Sequence, residues 1–170
     1  TLVLNPGDQV LGFVPTFAYY QHPISLSGAE YIKINRADDY SINQAELQEI
    51  NLDKVKMVFL CSPNNPSGTV LEPEVLEYFL DKDLLVVVDE AYYEFAQETV
   101  LPQIQQHNNL VVLRTFSKCF ALAGLRVGYG VMHETLATYL MQIKPPFSIS
   151  AASEVALIEA LKHLDLFQQQ

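Results

Sequence analysis

Three short stretches of the 170-residue chain carry side chains suited to chemistry. The first is Cys61-Ser62-Pro63-Asn64-Asn65-Pro66-Ser67-Gly68-Thr69 and the second is Asp89-Glu90-Ala91-Tyr92. The third is Arg114-Thr115-Phe116-Ser117-Lys118, with Arg126 eight residues further on between Gly124 and Gly128. Taken singly, each has a plain structural reading. Asn, Pro, Ser and Gly form turns, a carboxylate at a strand end caps a helix, and a lone lysine is a solvated charge. Taken together, they offer an amide, a carboxylate with a phenol, and an amine with hydroxyls and a guanidinium. An amine that condenses with an aldehyde forms a Schiff base, which turns lysine into a covalent catalyst. Pyridoxal phosphate is such an aldehyde, and its remaining groups match what the three stretches hold. A carboxylate keeps the ring nitrogen protonated and the ring an electron sink. Amide and phenol donors suit the phenolic oxygen, while hydroxyls, backbone N–H groups and an arginine suit the phosphate.

Residues so far apart in sequence need a frame that gathers them. Short apolar runs at 9–14, 31–34, 55–60, 84–88, 110–113 and 127–131 are β-branched or aromatic and read as strands. Between them, 17–26, 43–50, 73–80, 133–143 and 151–166 have helical spacing, with Pro73 at a first helical position and Ser150 as an N-cap. In the last of these, Val155, Ile158, Ala160, Leu161 and Leu164 share one face. The runs 55–60 and 84–88 are almost unbroken, as in strands covered on both sides of a parallel sheet. The expected fold is therefore α/β: three layers, a mostly parallel sheet with helices on both faces. Ligands in such sheets bind beyond the carboxyl ends of the strands. All three stretches lie there.

Composition narrows the function classes. Apolar residues make up 49% and charged residues 18%, so the chain has the makings of a packed core and is not disordered. Ten Lys and Arg against twenty Asp and Glu give a charge of −10, which argues against nucleic acid and anionic membrane surfaces as partners. An anionic ligand then needs a local cationic site. No run of eighteen apolar residues is present to span a membrane. Cys61 and Cys119 have no ligand or disulfide spacing, which fits a reducing, cytoplasmic setting. His22, His107, His133 and His163 are scattered and offer no metal site. Hydrolase, nucleotide and dinucleotide signatures find no anchor. Asp38, Asp39, Glu46, Glu49 and Asp53 read as an exposed acidic face, and Glu90 as either a residue that orients its neighbours or a solvated charge.

The set Ser62-Pro63-Asn64-Asn65-Pro66-Ser67-Gly68, Val87-Val88-Asp89-Glu90-Ala91-Tyr92, and Ser117-Lys118 followed by Gly124-Leu125-Arg126-Val127-Gly128 resembles a known family. It is that of the fold-type I, pyridoxal-phosphate-dependent class I/II aminotransferases, in their large domain. Stretches 113–126 and 144–150 are similar to its histidinol-phosphate aminotransferase branch, and Pro6-Gly7-Asp8 and Pro15-Thr16-Phe17 through Tyr20 also fit. The resemblance implies roles residue by residue. Lys118 would be the Schiff-base lysine and Asp89 the partner of the pyridine nitrogen, while Asn65 and Tyr92 would bond the phenolic oxygen. Arg126, Ser117 and Thr115 would hold the phosphate. An aromatic ring, Phe17 or Tyr20, would stack on the cofactor, and each of these is equally readable as core packing.

The same resemblance implies pyridoxal 5'-phosphate as cofactor, a small-molecule amino donor, a keto-acid acceptor, and a homodimer. Histidinol phosphate with 2-oxoglutarate and glutamate is the expected substrate set. An aromatic aminotransferase, a decarboxylase of a phosphate-bearing substrate, or a non-catalytic module that kept the fold are the alternatives. Residues 1–170 are expected to be the cofactor-binding large domain of a longer chain, without its N-terminal segment and C-terminal small domain.

Overall fold

Unbroken apolar runs need cover on two sides, and successive residues of the central strands do point into two different cores. In the computed structural model, which describes residues 2–167, six strands form one sheet in the order β2-β1-β3-β4-β5-β6. They are β1 (Gln9–Val14), β2 (Glu30–Asn35), β3 (Val55–Cys61), β4 (Leu85–Asp89), β5 (Leu110–Thr115) and β6 (Gly128–Met132). The first five are parallel, and β6 runs antiparallel to β5. The period of two along a strand sends Val58, Leu60, Val86, Val88, Leu110 and Val112 to one face. Met57, Cys61, Val87 and Val111 go to the other.

Helices cover both faces. On the first, α3 (Pro73–Leu80) buries Val75, Leu76, Phe79 and Leu80, and α2 (Gln44–Leu47) adds Leu47. Pro73 opens α3 where its missing N–H costs nothing. On the second face, α1 (Gln21–Leu26) contributes Ile24, joined by Tyr20 and by half-buried Leu136 of α5 (Glu134–Ile143). The three-layer α/β architecture expected from the sequence is the one observed.

The elements deviate from expectation in informative places. The stretch 17–26 is split into a 3-10 turn, Ala18–Tyr20, and α1. The stretch 43–50 shortens to α2, where the Asn43 side chain accepts from the Ala45 N–H. The stretch 151–166 is two helices, α6 (Ala151–Leu161) and α7 (Leu164–Phe167), separated at Lys162 and His163. Ser150 does cap α6, its hydroxyl accepting from the Ser153 N–H at 3.1 Å. The side of α6 that packs on the chain, however, is that of buried Ser153 and half-buried Ala156 and Leu157, while Val155, Ile158, Leu161 and Leu164 are exposed. Three short pieces had no sequence signal: α4 (Tyr93–Ala96) and the 3-10 turns Leu101–Gln105 and Ala123–Leu125. One-turn helices carry too few residues to show a period. Among the described residues, no helix is long and apolar enough to cross a membrane.

Candidate active site

The chain leaves β1 for β2 on one side of the sheet and returns to β3 on the other, so the strand order reverses between β1 and β3. Crevices at such a reversal are where open α/β sheets bind ligands. Here the carboxyl ends of β1, β3, β4 and β5 surround a cavity of about 260 Å³, whose lining includes Phe17, Asn65, Asp89, Tyr92, Lys118 and Arg126. Cys61, Arg114, Thr115 and Ser117 also reach it.

Each strand end delivers its residues by local chemistry. After β3, the turn closes through the Asn64 N–H to the Thr69 carbonyl (2.8 Å) and the Gly68 N–H to the Asn64 carbonyl (2.7 Å). Gly68 sits at φ +74°, a conformation that favours glycine. The buried Asn64 amide faces away from the chemistry. Its Nδ2 donates to the Pro15 carbonyl (3.1 Å) and the Ser67 hydroxyl (2.7 Å), and its Oδ1 accepts from the Thr16 hydroxyl (2.8 Å). Asn64 thereby ties the turn after β3 to the turn after β1 that carries Phe17. Its neighbour Asn65 is left to face the cavity, and its Nδ2 lies 3.4 Å from the Tyr92 hydroxyl.

Asp89 is the last residue of β4, hydrogen-bonded into the sheet between β3 and β5. One carboxylate oxygen accepts from the Tyr20 hydroxyl at 2.6 Å and the other from the Ala91 N–H at 3.0 Å. Lys118 lies on the exposed turn after β5, with Nζ 5.2 Å from the centroid of the Tyr92 ring. That turn is braced by the Thr115 hydroxyl, which accepts from the Ser117 N–H (3.1 Å), and by the Ala121 N–H to the Lys118 carbonyl (2.9 Å). Arg126 adopts φ +55°, and its Nη1 donates to the Ala123 carbonyl at 2.9 Å.

Electrostatics separates the two arginines of the site. Arg114 is spent internally. Its Nε and Nη2 both donate to Glu90 Oε2, at 2.9 and 2.8 Å, and its guanidinium lies 3.6 Å above the Tyr93 ring. Glu90 also accepts from the Thr99 hydroxyl and, at 2.8 Å, from the Val100 N–H. Lys118 and Arg126, by contrast, make no ion pair among the described residues. The cavity therefore carries two cations without carboxylate partners in a chain of charge −10.

The structure thus brings together Phe17, Asn65, Asp89, Tyr92, Thr115, Ser117, Lys118 and Arg126. It keeps Tyr20 apart. That ring is buried, lies flat on Phe59 (centroids 4.7 Å apart, 11° between planes), and does not line the cavity. Both the Phe59 contact and the bond to Asp89 hold Tyr20 away from the cavity, and of the two aromatic candidates it is Phe17 that lines it. Glu90 is likewise not solvated but 1% exposed. Sequence reasoning gave no role to Asn64 or Arg114. The doubled Asn64-Asn65 was a signal for the first, since one turn seldom needs two amides at its centre. An arginine closing an apolar strand was a signal for the second.

The sheet order, the strand-end cavity and its donors define an α/β protein with a lysine, an arginine and a carboxylate facing one strand-end cavity, and comparison with known proteins identifies the family. The chain belongs to the aminotransferases of class I and II, whose family model matches residues 1–170. Among curated relatives, histidinol-phosphate aminotransferase of Methanococcoides burtonii is 45% identical over 161 residues, covering 94% of this chain and 45% of that protein. The chloroplastic histidinol-phosphate aminotransferase of Nicotiana plumbaginifolia is 43% identical, covering 95% of this chain and 40% of that protein. The chain therefore spans less than half the length of these relatives. Among solved structures, histidinol-phosphate aminotransferase from Sinorhizobium meliloti, in complex with pyridoxal-5'-phosphate, superposes with a TM-score of 0.87 at 28% identity. The match covers 99% of this chain and 47% of that one.

Proposed function

We propose that this chain is the cofactor-binding large domain of a pyridoxal-phosphate-dependent aminotransferase, with histidinol phosphate as amino donor and 2-oxoglutarate as acceptor. The observation that carries the proposal is the convergence of Asn65, Asp89, Tyr92, Lys118 and Arg126 on one strand-end cavity. The donor set fits pyridoxal phosphate group by group: an amine for the aldehyde, a carboxylate for the ring nitrogen, an amide and a phenol for the phenolic oxygen, and a guanidinium with hydroxyls for the phosphate. The names of the relatives support the substrate choice.

When bound, the cofactor supplies an aldehyde carbon and an electron-withdrawing ring. The rest falls to the chain. Lys118 would be the amine that holds the aldehyde carbon and, once displaced by the amino donor, the base placed to move a proton. Asp89 keeps the ring nitrogen protonated. Tyr92, with Asn65 beside its hydroxyl, would bond the phenolic oxygen. Arg126, Ser117 and Thr115 hold the phosphate through charge and hydroxyls, and Phe17 offers the stacking ring. The proposal includes a homodimer working in the cytoplasm.

In the full-length protein, Lys118→Ala should abolish both turnover and borohydride-dependent covalent fixation of pyridoxal phosphate. Fixation that survives the substitution overturns the assignment. Titration of the cofactor's absorbance with histidinol phosphate, an aromatic amino acid and threonine phosphate then reads the substrate. A stronger response to either of the latter two replaces histidinol phosphate.

A further inference from the structure

We infer that Tyr20 is a positioning residue for Asp89: a phenol buried beneath the cavity floor that fixes the direction in which the carboxylate faces the cofactor. The inference rests on the function proposed above and adds to it a residue that does not touch the cofactor cavity.

The geometry is specific. A carboxylate at the end of a strand turns freely about its last bond unless both oxygens are engaged. At Asp89 they are: Oδ2 accepts from the Tyr20 hydroxyl at 2.6 Å and Oδ1 from the Ala91 N–H at 3.0 Å. The first bond is short, as hydrogen bonds to charged acceptors are. The phenol is itself held. Tyr20 is 6% exposed, stacks flat on Phe59 of β3, and meets Phe17 edge to face with centroids 5.5 Å apart. The ring thus bridges the cavity's stacking residue and its carboxylate. Burial first, then the neighbouring Cys61 and Asp89, push the Tyr20 hydroxyl far above its ordinary value, so it stays a neutral donor throughout the working pH range. The other titratable and charged groups around the pair are Cys61 at the end of β3, Tyr92 after β4, and Arg114, Lys118 and Arg126 at and beyond the end of β5.

A carboxylate aimed in this way matches one feature of the proposed cofactor, the ring nitrogen, which needs a partner in the plane of the ring. Removing the hydroxyl while keeping the ring leaves the stack on Phe59 in place and frees Asp89 to turn.

The test uses the full-length protein and pyridoxal phosphate, with Tyr20→Phe, Asp89→Asn and the double variant. Tyr20→Phe should raise the cofactor's dissociation constant about tenfold, the size expected for one bond to a charged group. It should also move the pH midpoint of the bound cofactor's absorbance upward by about half a pH unit or more, because a ring less firmly protonated withdraws less charge from the nitrogen joined to Lys118. In the Asp89→Asn background the same substitution should change neither quantity. Phe59→Leu, which loosens the stack but keeps the hydroxyl, should lower the melting temperature without moving the midpoint. Equal affinity and midpoint in wild type and Tyr20→Phe overturn the inference, as does an undiminished Tyr20→Phe effect when Asp89 is Asn. A wild-type protein that takes up no pyridoxal phosphate overturns instead the function on which the inference rests.

Discussion

Residues 9–115 and residues 128–167 treat their apolar side chains in opposite ways. In the first region most residues of β1, β3 and β4 and the first half of β5 are buried, only the edge strand β2 being open, and even the charged Glu90 is 1% exposed and fully bonded. In the second, Met141, Ile143, Val155 and Ile158 are all exposed, and Phe147 is 95% so. Both regions carry amphipathic or apolar patterns of similar strength in the sequence. The difference shows that periodicity reports which face of an element is apolar, whereas only tertiary structure reports what covers it. It also bears on the site: Phe17, Asn65, Asp89 and Tyr92, proposed to meet the cofactor ring, belong to the first region, while Ser117, Lys118 and Arg126 lie on the connection between the two.

The largest effect that would test this contrast is at Glu90. Its carboxylate takes two bonds from Arg114, one from the Thr99 hydroxyl and one from the Val100 N–H, tying the end of β4 to the end of β5. Glu90→Ala strands a guanidinium that is 10% exposed, and breaking a buried pair this way costs about 3–5 kcal/mol. The loss is read from the urea midpoint. A cost below about 1 kcal/mol would mean that the first region is not held by this network.

A smaller effect, spread over a pH range, reads the same burial. Cys61, Tyr20 and Tyr31 all have folded-state values above their ordinary ones of 9.0 and 10.0, chiefly through burial. Below pH 9 both folded and unfolded chains keep these protons, and stability is at its full value. Above it the unfolded chain loses protons that the folded chain retains. Stability then falls by about 1.4 kcal/mol per pH unit for each such group. Alkaline unfolding should therefore begin above about pH 9 and steepen above 10. Tyr20→Phe should remove one group's share of the slope above 10, and an unchanged slope would show that Tyr20 is not shielded as the structure has it.

How much of this was legible beforehand follows from the same physics. The strands were readable because two-sided cover leaves an unmistakable apolar run, and the site because strand ends in a parallel sheet converge. The three strand-end stretches could thus be picked out from type and position, and the family resemblance singled out Asn65, Asp89, Lys118 and Arg126 within them. What stayed hidden were side-chain directions. Of two adjacent amides, Asn64 turns toward Pro15 and Thr16 while Asn65 turns to the cavity. Of two aromatic residues three apart, Phe17 lines the cavity and Tyr20 goes beneath it. A helix turn between them rotates one ring away from the other, and no composition rule says which one faces the ligand. The break between α6 and α7 was invisible for a similar reason, since Lys162 and His163 are ordinary helix residues.

The smallest effect on stability belongs to the open face, and it is the one that defines it. Ile158 is 53% exposed and Val155 69% exposed, on the side of α6 opposite to Ser153, whose hydroxyl donates to the Leu125 carbonyl at 2.9 Å. In the 170-residue chain alone, Ile158→Ser removes little buried area and opens no cavity. The change in unfolding free energy should stay within about 0.5 kcal/mol, as for surface substitutions generally. Its effect on association should be much larger. Contiguous exposed apolar side chains drive contact between molecules, and light scattering of the Val155→Ser, Ile158→Ser double variant should show less self-association than the unsubstituted chain. If instead Ile158→Ser costs as much as a core substitution, about 2 kcal/mol or more, then α6 is packed on this chain after all and the two regions do not differ in kind. If stability and association both stay unchanged, the exposed face is inert, and the apolar stripe on α6 has no bearing on how this chain meets another surface.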